Sequence, residues 1–397
     1  MSERCERMKY DFDEEIERKN TNSSKWDGFE ARFLGFNASG AIPMWVADMD
    51  FKSPKEVIEA VKKKADEGIY GYPCQKGNRF DDAVKNWLIK RHNFSIEDEW
   101  VVATQGVVPA VTYAVQAFTN EGDGVLIQPP VYYPFKDRCI KYNKRIAVEN
   151  QLILKNGKYE IDFDDFEEKA KAAKLFILCS PHNPVGRVWT AWELEKMIDI
   201  CRKENVIIFS DEIHSDLIMR GYKHVPTALV SGGSGIITAY APSKTFNLAG
   251  LKTSAIVISD ESLRKKFKEQ IKTDEAGGLN SFGEAALTAA YNYGEDYLEQ
   301  LIDYIGKNMD YAQNFANKNL KGVSAYKTEG TYFLWLDFRK TELCPYEINK
   351  KIIEQAKVAG DIGEWFGKEG AGFLRLNLAC TMKTVKLAME RLQKVFG

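Results

Sequence analysis

Four polar side chains stand at or next to short apolar runs of the sequence. They are Asn183 after KLFILC, Asp211 after VIIFS, Lys244 after IITAY and Arg375 within GFLRLN. Desolvation lowers the pKa of a lysine, and its neutral amine is then a nucleophile that can form a Schiff base. A buried arginine needs an anionic partner, and a carboxylate can partner a cationic ligand atom. The residue types are therefore compatible with amine chemistry on a charged ligand.

Each of these residues also has an ordinary structural interpretation. A lone lysine at a strand end is more often paired or extended to solvent. Asp211 could cap a helix, and Asn183, bracketed by Pro181 and Pro184, could belong to a tight turn. For Arg375, a substrate carboxylate and a structural Asp or Glu are equally good partners. Taken singly, none of the four decides the function.

A helix is predicted to open at Gly106 and to run through Gln116, directly after the apolar run WVVA. The free N–H groups of its first residues, Val107 and Val108, would make an anion site. The Walker pattern and the G-x-G-x-x-G pattern are both absent from the sequence, so classical nucleotide binding is not indicated. A single phosphate group would fit this position.

Metal binding and disulfide bonding find little support. The string DEIHSD at Asp211–Asp216 contains metal-ligand types, but the chain has only four histidines and no HExxH pattern. We predict no metal. The seven cysteines are scattered, odd in number and without a C-x-x-C pair, which favours free thiols in a reducing compartment. They are Cys5, Cys74, Cys139, Cys179, Cys201, Cys344 and Cys380.

The elements that position these residues alternate between strands and helices. The apolar runs of strand length are Trp100–Ala103, Gly124–Ile127, Lys174–Cys179, Val206–Phe209, Ile236–Tyr240 and Ala255–Ile258. Helical patterns such as Ala191–Lys203 lie between them, which predicts an α/β fold with a mainly parallel sheet covered on both faces. Ligands bind outside the carboxyl ends of such strands, so the residues after the runs should meet at one edge.

The last hundred residues have a different pattern and predict a smaller α+β domain. We expect a long helix near Tyr291–Asn319, a strand at Thr331–Phe338, a helix near Tyr346–Ala359, a strand at Gly372–Asn377 and a final helix. The predicted large domain spans residues 47–290, and the small domain combines residues 1–46 with 291–397.

Composition excludes several classes of partner. The 397 residues carry a formal charge of -2 with both signs dispersed, so no basic stripe for nucleic acid is present. No apolar stretch approaches the roughly 18 residues that span a membrane, and the N-terminus lacks the apolar core of a secretory signal. A cytoplasmic location is the default expectation.

Taken together and in this order, the motifs resemble fold-type I pyridoxal-phosphate enzymes, the aspartate aminotransferase superfamily, over essentially the whole chain. Within it, the sequence is most similar to cystathionine β-lyases of the MalY/PatB type. The strings that carry this are IPMWVADMDF (42–51), IYGYP (69–73), SPHNPVGRVW (180–189), SDEIHSDL (210–217), SKTFNLAGL (243–251) and RLNLAC (375–380). The first and fourth are the more specific to this subfamily.

The resemblance implies a role for each site residue toward pyridoxal 5′-phosphate. Lys244 would hold the cofactor covalently and act as the base, and Asp211 would pair with the pyridine nitrogen. Asn183 would bond the ring oxygen, Tyr132 would stack on the ring with a catalytic role, and His214 would belong to the cofactor site. The phosphate would be held by Gly106, Val107, Val108, Ser243 and, across a homodimer, Tyr72.

The resemblance also assigns the substrate side. Arg375 would clamp the α-carboxylate of a small amino acid, with Asn183 and Ala47 beside it. One departure concerns Ala241, where many relatives carry a hydroxyl. Lys252 stands where aminotransferases often have a phosphate-binding arginine, and it would act there as a point charge.

The activity implied is α,β-elimination on L-cystathionine or a cysteine S-conjugate, giving a thiol, pyruvate and ammonia. A class I/II aminotransferase would use the same residues, and residue types do not separate the two. A non-catalytic binding protein is the third alternative, and retention of Lys244, Asp211, Asn183 and Arg375 disfavours it.

Overall fold

The computed structural model describes residues 10–73 and 79–397. The strands are β1 (Ile42–Pro43), β2 (Val101–Thr104), β3 (Gly124–Ile127), β4 (Ile146–Glu149), β5 (Ile153–Lys155), β6 (Lys158–Glu160), β7 (Leu175–Cys179), β8 (Ile207–Asp211), β9 (Ile236–Tyr240), β10 (Ser254–Val257), β11 (Ser324–Ala325), β12 (Phe333–Asp337), β13 (Val358–Ala359), β14 (Asp361–Ile362) and β15 (Phe373–Asn377). The α-helices are α1 (Phe29–Arg32), α2 (Lys55–Asp66), α3 (Arg79–His92), α4 (Val107–Phe118), α5 (Phe163–Ala170), α6 (Ala191–Lys203), α7 (Thr227–Ser231), α8 (Pro242–Thr245), α9 (Glu261–Thr273), α10 (Ser281–Tyr293), α11 (Glu295–Asn319), α12 (Pro345–Lys350) and α13 (Met382–Phe396).

The large sheet has seven strands in the order β2-β10-β9-β8-β7-β3-β4. Strands β9, β8, β7, β3 and β4 are parallel neighbours, whereas β10 is antiparallel to both β9 and β2. Because two antiparallel steps restore direction, β2 runs the same way as β9. The carboxyl ends of β2, β7, β8 and β9 therefore open at one edge, which confirms the predicted mainly parallel α/β fold.

Helices cover both faces of this sheet, and successive strand residues serve opposite cores. Val125 and Ile127 of β3 join a buried cluster that includes residues of α4 and α9. Leu126, between them, joins the cluster that contains residues of α3, α5, α6 and α10. This two-sided burial explains why the central strands have continuously apolar sequences.

A second sheet in the C-terminal part has the antiparallel order β11-β12-β15-β14. Its strands share a buried core with α11 and α13, in which Leu334 and Leu376 pack against Ala312 and Leu392. Strand β1 pairs with β13, so the N-terminal segment joins this part of the molecule. The division into residues 47–290 and the remainder stays a prediction.

The C-terminal helices differ from their predicted bounds. The helix expected near Tyr291–Asn319 is two helices that meet at Gly294. A Cβ at that glycine would lie 2.4 Å from both Ala290 O and a ring carbon of Phe246, so the chain approaches too closely for any side chain. The helix expected near residues 346–359 is α12 followed by a π-helical turn, Lys351–Gln355, and then β13.

Within residues 10–73 and 79–397, no helix is both long and apolar enough to cross a membrane. The same ranges contain no group of three or more His, Cys, Asp or Glu side chains arranged to hold a metal ion.

Candidate active site

A cavity of about 400 Å³ opens at the sheet edge where β2, β7, β8 and β9 end. Its volume falls within the range of small-molecule sites. The lining residues are Ala47, Gln105, Gly106, Val107, Val108, Pro109, Tyr132, Arg138, Cys179, Asn183, Asp211, Ile213, His214, Ser243, Lys244, Ala249, Lys252 and Thr253. Nearly every residue singled out from the sequence thus lies on one cavity wall, and Tyr72 and Arg375 are the two that do not.

Lys244 lies in α8, four residues after β9 ends, and its amine is inside the protein. Its Nζ donates a hydrogen bond to Ala47 O at 2.9 Å, and the Tyr332 hydroxyl donates to the same oxygen at 3.1 Å. Burial and the charge of Arg375 lower the pKa of Lys244 to about 8, against the opposing charges of Asp48 and Asp211. Roughly a tenth of the amine is therefore neutral at pH 7, far more than for a lysine of ordinary pKa, and this neutral form is the nucleophile or base.

Asp211 ends β8 and is only 5% exposed. Its Oδ1 accepts a hydrogen bond from Ile213 N at 3.1 Å, and a turn rather than an α-helix follows, so it is not a helix cap. Burial raises its pKa to about 7, although the Ile213 N–H group and the charge of Lys244 oppose this. A carboxylate in this position gains stability from a cation placed in the cavity.

Helix α4 opens toward the same cavity. Gly106, with φ of 120°, adopts a backbone conformation that favours glycine, and its N–H donates to Ser254 Oγ at 3.1 Å. Val107 and Val108 are the first two helical residues, so their N–H groups have no acceptor within the helix. Pro109 follows and has no N–H. The helix start is therefore a site for an anion.

Arg375 lies on β15, 2% exposed, one layer behind the cavity wall. Its Nη1 donates to Asn183 Oδ1 at 2.8 Å, and its Nη2 donates to Trp45 O at 2.8 Å and to the buried Asp361. The structural carboxylate considered for Arg375 is therefore present. Its Nε is nevertheless buried without a partner among the described residues, so a donor remains for a further anion.

The aromatic and imidazole side chains of the cavity are held by ring contacts. The Tyr132 ring is perpendicular to that of Phe135, with centroids 5.5 Å apart, and burial raises the pKa of its hydroxyl. His214 packs edge-on against Phe333, with centroids 5.6 Å apart. Burial and the charges of Lys244 and Arg375 lower the pKa of His214 well below its usual range, so the ring is neutral.

The two side chains predicted to contact the phosphate from this chain, Ser243 and Lys252, differ in their exposure. Ser243 is half-buried beside Lys244, whereas Lys252 is exposed at the cavity mouth, with φ of 45°. Tyr72 is fully exposed on this chain. Its predicted contact across a dimer stays a prediction.

Several residues at the site were missed from the sequence. Asp361 faces Arg375 directly because β14 and β15 pair in register, but β14 has only two residues and its sequence gives no strand pattern. Trp45 contributes a backbone oxygen, which a residue type does not reveal. Arg138 could have been found as a cation three residues after the PPVYYPF string.

The model of the family described as aminotransferase class I and II matches residues 41–392. The chain belongs to this family. The match includes both sheets and every site residue described above. It confirms the resemblance drawn from the motifs and the fold-type I architecture.

Three relatives show which branch of the aminotransferase class I and II family is similar. The cystathionine beta-lyase PatB of Bacillus subtilis (strain 168) is 42% identical over 96% of this chain and 98% of its own length. A PLP-bound putative aminotransferase from Clostridium difficile 630 has a TM-score of 0.94 at 41% identity, covering 98% of this chain and 100% of that one. A PLP-bound C-S lyase from Staphylococcus hominis has a TM-score of 0.90 at 33% identity, covering 98% of both chains.

Proposed function

We propose that this protein is a pyridoxal-phosphate-dependent carbon–sulfur β-lyase. It would convert L-cystathionine or another cysteine S-conjugate into a thiol, pyruvate and ammonia with consumption of one water. The observation that carries the proposal is the grouping of Lys244, Asp211 and Asn183 on one cavity, with Arg375 hydrogen-bonded to Asn183, in a chain 42% identical to a cystathionine β-lyase.

The residues present fit the cofactor. Pyridoxal phosphate has an aldehyde, a basic ring nitrogen and a phosphate, which need an amine, an acid and an anion site. Lys244 supplies an amine with a lowered pKa, Asp211 a buried carboxylate with a raised pKa, and the N–H groups of Val107 and Val108 an anion site. Ser243 and Lys252 border the same cavity and would add to the phosphate contacts.

When bound, the cofactor supplies an electron sink for the negative charge that develops on the substrate Cα. Lys244 would hold it through Nζ and, once replaced by the substrate amine, would take the proton from Cα. The hydrogen bond to Ala47 O fixes the Nζ position in advance. Asp211, paired with the ring nitrogen, would keep that nitrogen protonated.

Arg375 would orient the substrate. Asp361, Trp45 O and Asn183 hold the guanidinium rigidly, and its free Nε would donate to the α-carboxylate. The stack of Arg375 Cζ over the Phe333 ring, 3.9 Å from the centroid, fixes the plane of this donor. Orientation of Cα toward Lys244 follows from this clamp.

The rival function is a transamination, which the family name and the C. difficile neighbour both favour. The purified holoenzyme with L-cystathionine and no 2-oxo acid separates the two. A lyase forms pyruvate and free thiol in equal amounts over many turnovers. A requirement for a 2-oxo acid, with no thiol released, would refute the lyase.

Lys244→Ala tests the covalent role of the lysine. We expect wild type to retain the visible absorbance of the attached cofactor after gel filtration and Lys244→Ala to lose it, because no other amine lines the cavity except exposed Lys252 among the described residues. Lys203→Ala, at an exposed lysine outside the cavity, is the matched control and should retain the absorbance. Equal retention by Lys244→Ala would contradict the assignment.

Two further features belong to this proposal. We place the protein in the cytoplasm, which the free thiols at Cys139, Cys179, Cys201, Cys344 and Cys380 support; Cys5 and Cys74 lie outside the described residues. We also propose a homodimer in which Tyr72 reaches the partner's phosphate site, which its full exposure on this chain supports.

A further inference from the structure

A second guanidinium, that of Arg32, lies beside the candidate active site. Arg32 is the last residue of α1 and is half-buried. Its Cζ lies 3.8 Å from the centroid of the Trp365 ring and 5.2 Å from that of Tyr133. Within residues 10–73 and 79–397, Arg32 makes no hydrogen bond and no ion pair, and its Nε is fully buried.

A guanidinium in this situation lacks what its charge requires. Aromatic faces attract the cation, but they leave its N–H donors, which point outward in the plane of the group, without acceptors. Buried donors without acceptors are costly and are rare in folded proteins. The buried Nε–H of Arg32 is such a donor, and its terminal nitrogens, which no described residue bonds, stay accessible, so an anion from outside the described chain can bind them.

Arg32 lies next to aromatic rings that extend to the cavity, where the substrate would bind. The Tyr133 ring lies 5.6 Å from that of Tyr132, which lines the cavity, and 5.7 Å from that of Phe366. Arg375 Cζ lies 4.9 Å from the same Phe366 ring. An aromatic wall thus extends from the cavity, with Arg375 on one part of it and Arg32 on another.

Asp361 shows that the two cations share one neighbourhood. Burial raises the pKa of Asp361 to about 6, and the charges of Arg375 and Arg32 both oppose that rise. Among the described residues, only Arg375 is bonded to this carboxylate. Arg32 acts on it from beyond ion-pair distance and so keeps its donors for another group.

We propose that Arg32 is a specificity-determining residue that binds a carboxylate on the far end of the substrate, carried by its leaving thiol. The inference rests on the proposed lyase function and deepens it. With Arg375 on the α-carboxylate, the site would prefer S-conjugates whose thiol portion is itself an acid over those with a plain alkyl group. Planar guanidinium groups suit this recognition because they bind carboxylates through two donors.

The first experiment compares two substrates in the holoenzymes of wild type, Arg32→Gln and Arg32→Lys. L-Cystathionine carries the distal carboxylate, and S-ethyl-L-cysteine has an alkyl group in its place. For Arg32→Gln we expect kcat/KM to fall about 10- to 100-fold for cystathionine, as for the loss of a charge-assisted hydrogen bond, with S-ethyl-L-cysteine changed less than about twofold. Arg32→Lys should lie between the two. Arg202→Gln, in an exposed pair with Asp199, is the control and should alter neither.

A binding measurement gives a second readout that does not depend on elimination. L-2-Aminosuberate and L-2-aminooctanoate have the same chain length and differ in the terminal carboxylate, and neither has a leaving group. Calorimetry on wild type should show tighter binding of aminosuberate, and Arg32→Gln should abolish the difference.

The outcomes separate the two proposals. If Arg32→Gln lowers both substrates equally, or neither, Arg32 is only a structural cation stacked on Trp365 and the inference is wrong while the lyase stands. If wild type forms no pyruvate from either substrate, the lyase fails. The binding preference for aminosuberate then still decides whether Arg32 recognises the carboxylate.

Discussion

Asp211 places a carboxylate in surroundings that do not favour its charge. Without a cation in the cavity, burial raises its pKa from 3.8 to about 7. Between pH 3.8 and about 7, Asp211 is protonated in the folded state and ionised in the unfolded state. Stability from this group is therefore complete below pH 3.8 and is lost as the pH rises through about 7.

Asp211→Asn should remove this loss in the cofactor-free protein. The variant should be more stable than wild type above pH 7, by at most roughly 4 kcal/mol at 1.36 kcal/mol per pKa unit, and equal to it near pH 4. Urea unfolding of both apoproteins between pH 4 and 8.5 measures the difference. Parallel curves would contradict the assignment of the raised pKa to Asp211.

Addition of pyridoxal phosphate should make wild type more stable than Asp211→Asn, the reverse of the order expected for the cofactor-free proteins above pH 7. A protonated ring nitrogen facing Asp211 stabilises the carboxylate, whereas an amide offers it no charge. Wild type should thus gain more stability from pyridoxal phosphate than Asp211→Asn does. The exposed Asp199, exchanged for Asn, is the matched control and should shift neither series.

Among the elements, α3 and α8 are joined by one buried carboxylate. Asp216 accepts hydrogen bonds from Trp87 Nε1 at 3.1 Å, His92 Nε2 at 3.0 Å and Thr245 Oγ1 at 3.0 Å. Burial alone would raise the pKa of Asp216, but the hydrogen bond and charge of His92 hold it below 3.8. Because Thr245 follows Lys244 in α8, this network fixes the helix that carries the reactive amine.

Asp216→Asn should weaken that connection. The amide N–H group of the asparagine would face the donors of Trp87, His92 or Thr245 and could not accept from them. We therefore expect a loss of about 2–4 kcal/mol in the free energy of unfolding at pH 7. The stabilisation by a depressed acid pKa is present above pH 3.8 and lost below it, so wild type and variant should converge in acid. Urea titrations measure this, and a change under about 0.5 kcal/mol at pH 7 would refute it.

One glycine in α10 and one in α11 allow a paired test of how closely α10 packs against Leu251 and Thr253. A Cβ at Gly283 of α10 would lie 1.9 Å from Thr253 Oγ1 and 2.6 Å from Leu251 O, whereas at Gly306 of α11 it would meet nothing within 4 Å. Gly283→Ala should cost roughly 1–3 kcal/mol and weaken cofactor binding, because Thr253 lines the cavity. Gly306→Ala should add about 0.5–1 kcal/mol.

Melting temperatures and cofactor titrations of both variants test this pair. The packing argument fails if Gly283→Ala binds the cofactor as tightly as Gly306→Ala does.

The sequence predicts some elements of the site well because the chemistry follows strand ends. Asp211 and Lys244 come after apolar runs, and parallel strands bring such positions to one edge. Asp361 and Arg32 escaped prediction for the opposite reason. They lie in a two-residue strand and a four-residue helix, whose placement depends on tertiary contacts and leaves no periodic pattern.

At the scale of the molecule, the cavity is closed by segments that are remote in sequence. Ala47 and Trp45, from the N-terminal part of the chain, contribute backbone oxygens to the site. Asp50 holds the same segment in place by accepting hydrogen bonds from Lys25 and Trp26. Lys25 is fully buried. The proposed dimer would bring a second copy of the chain to the phosphate site at the start of α4.

Tyr72 provides the test of that dimer. An assembly of about 90 kDa, twice 45.1 kDa, is expected by analytical ultracentrifugation. Tyr72→Asp would set a carboxylate against the partner's phosphate, so its homodimer should be inactive, as should that of Lys244→Ala. If Tyr72 acts across the interface, a heterodimer of these two chains contains one intact site. Purified through two different tags, it should recover about half of wild-type activity per dimer. Because a tyrosine acting within its own chain would leave both sites broken, an inactive heterodimer would place Tyr72 in cis and refute the shared site.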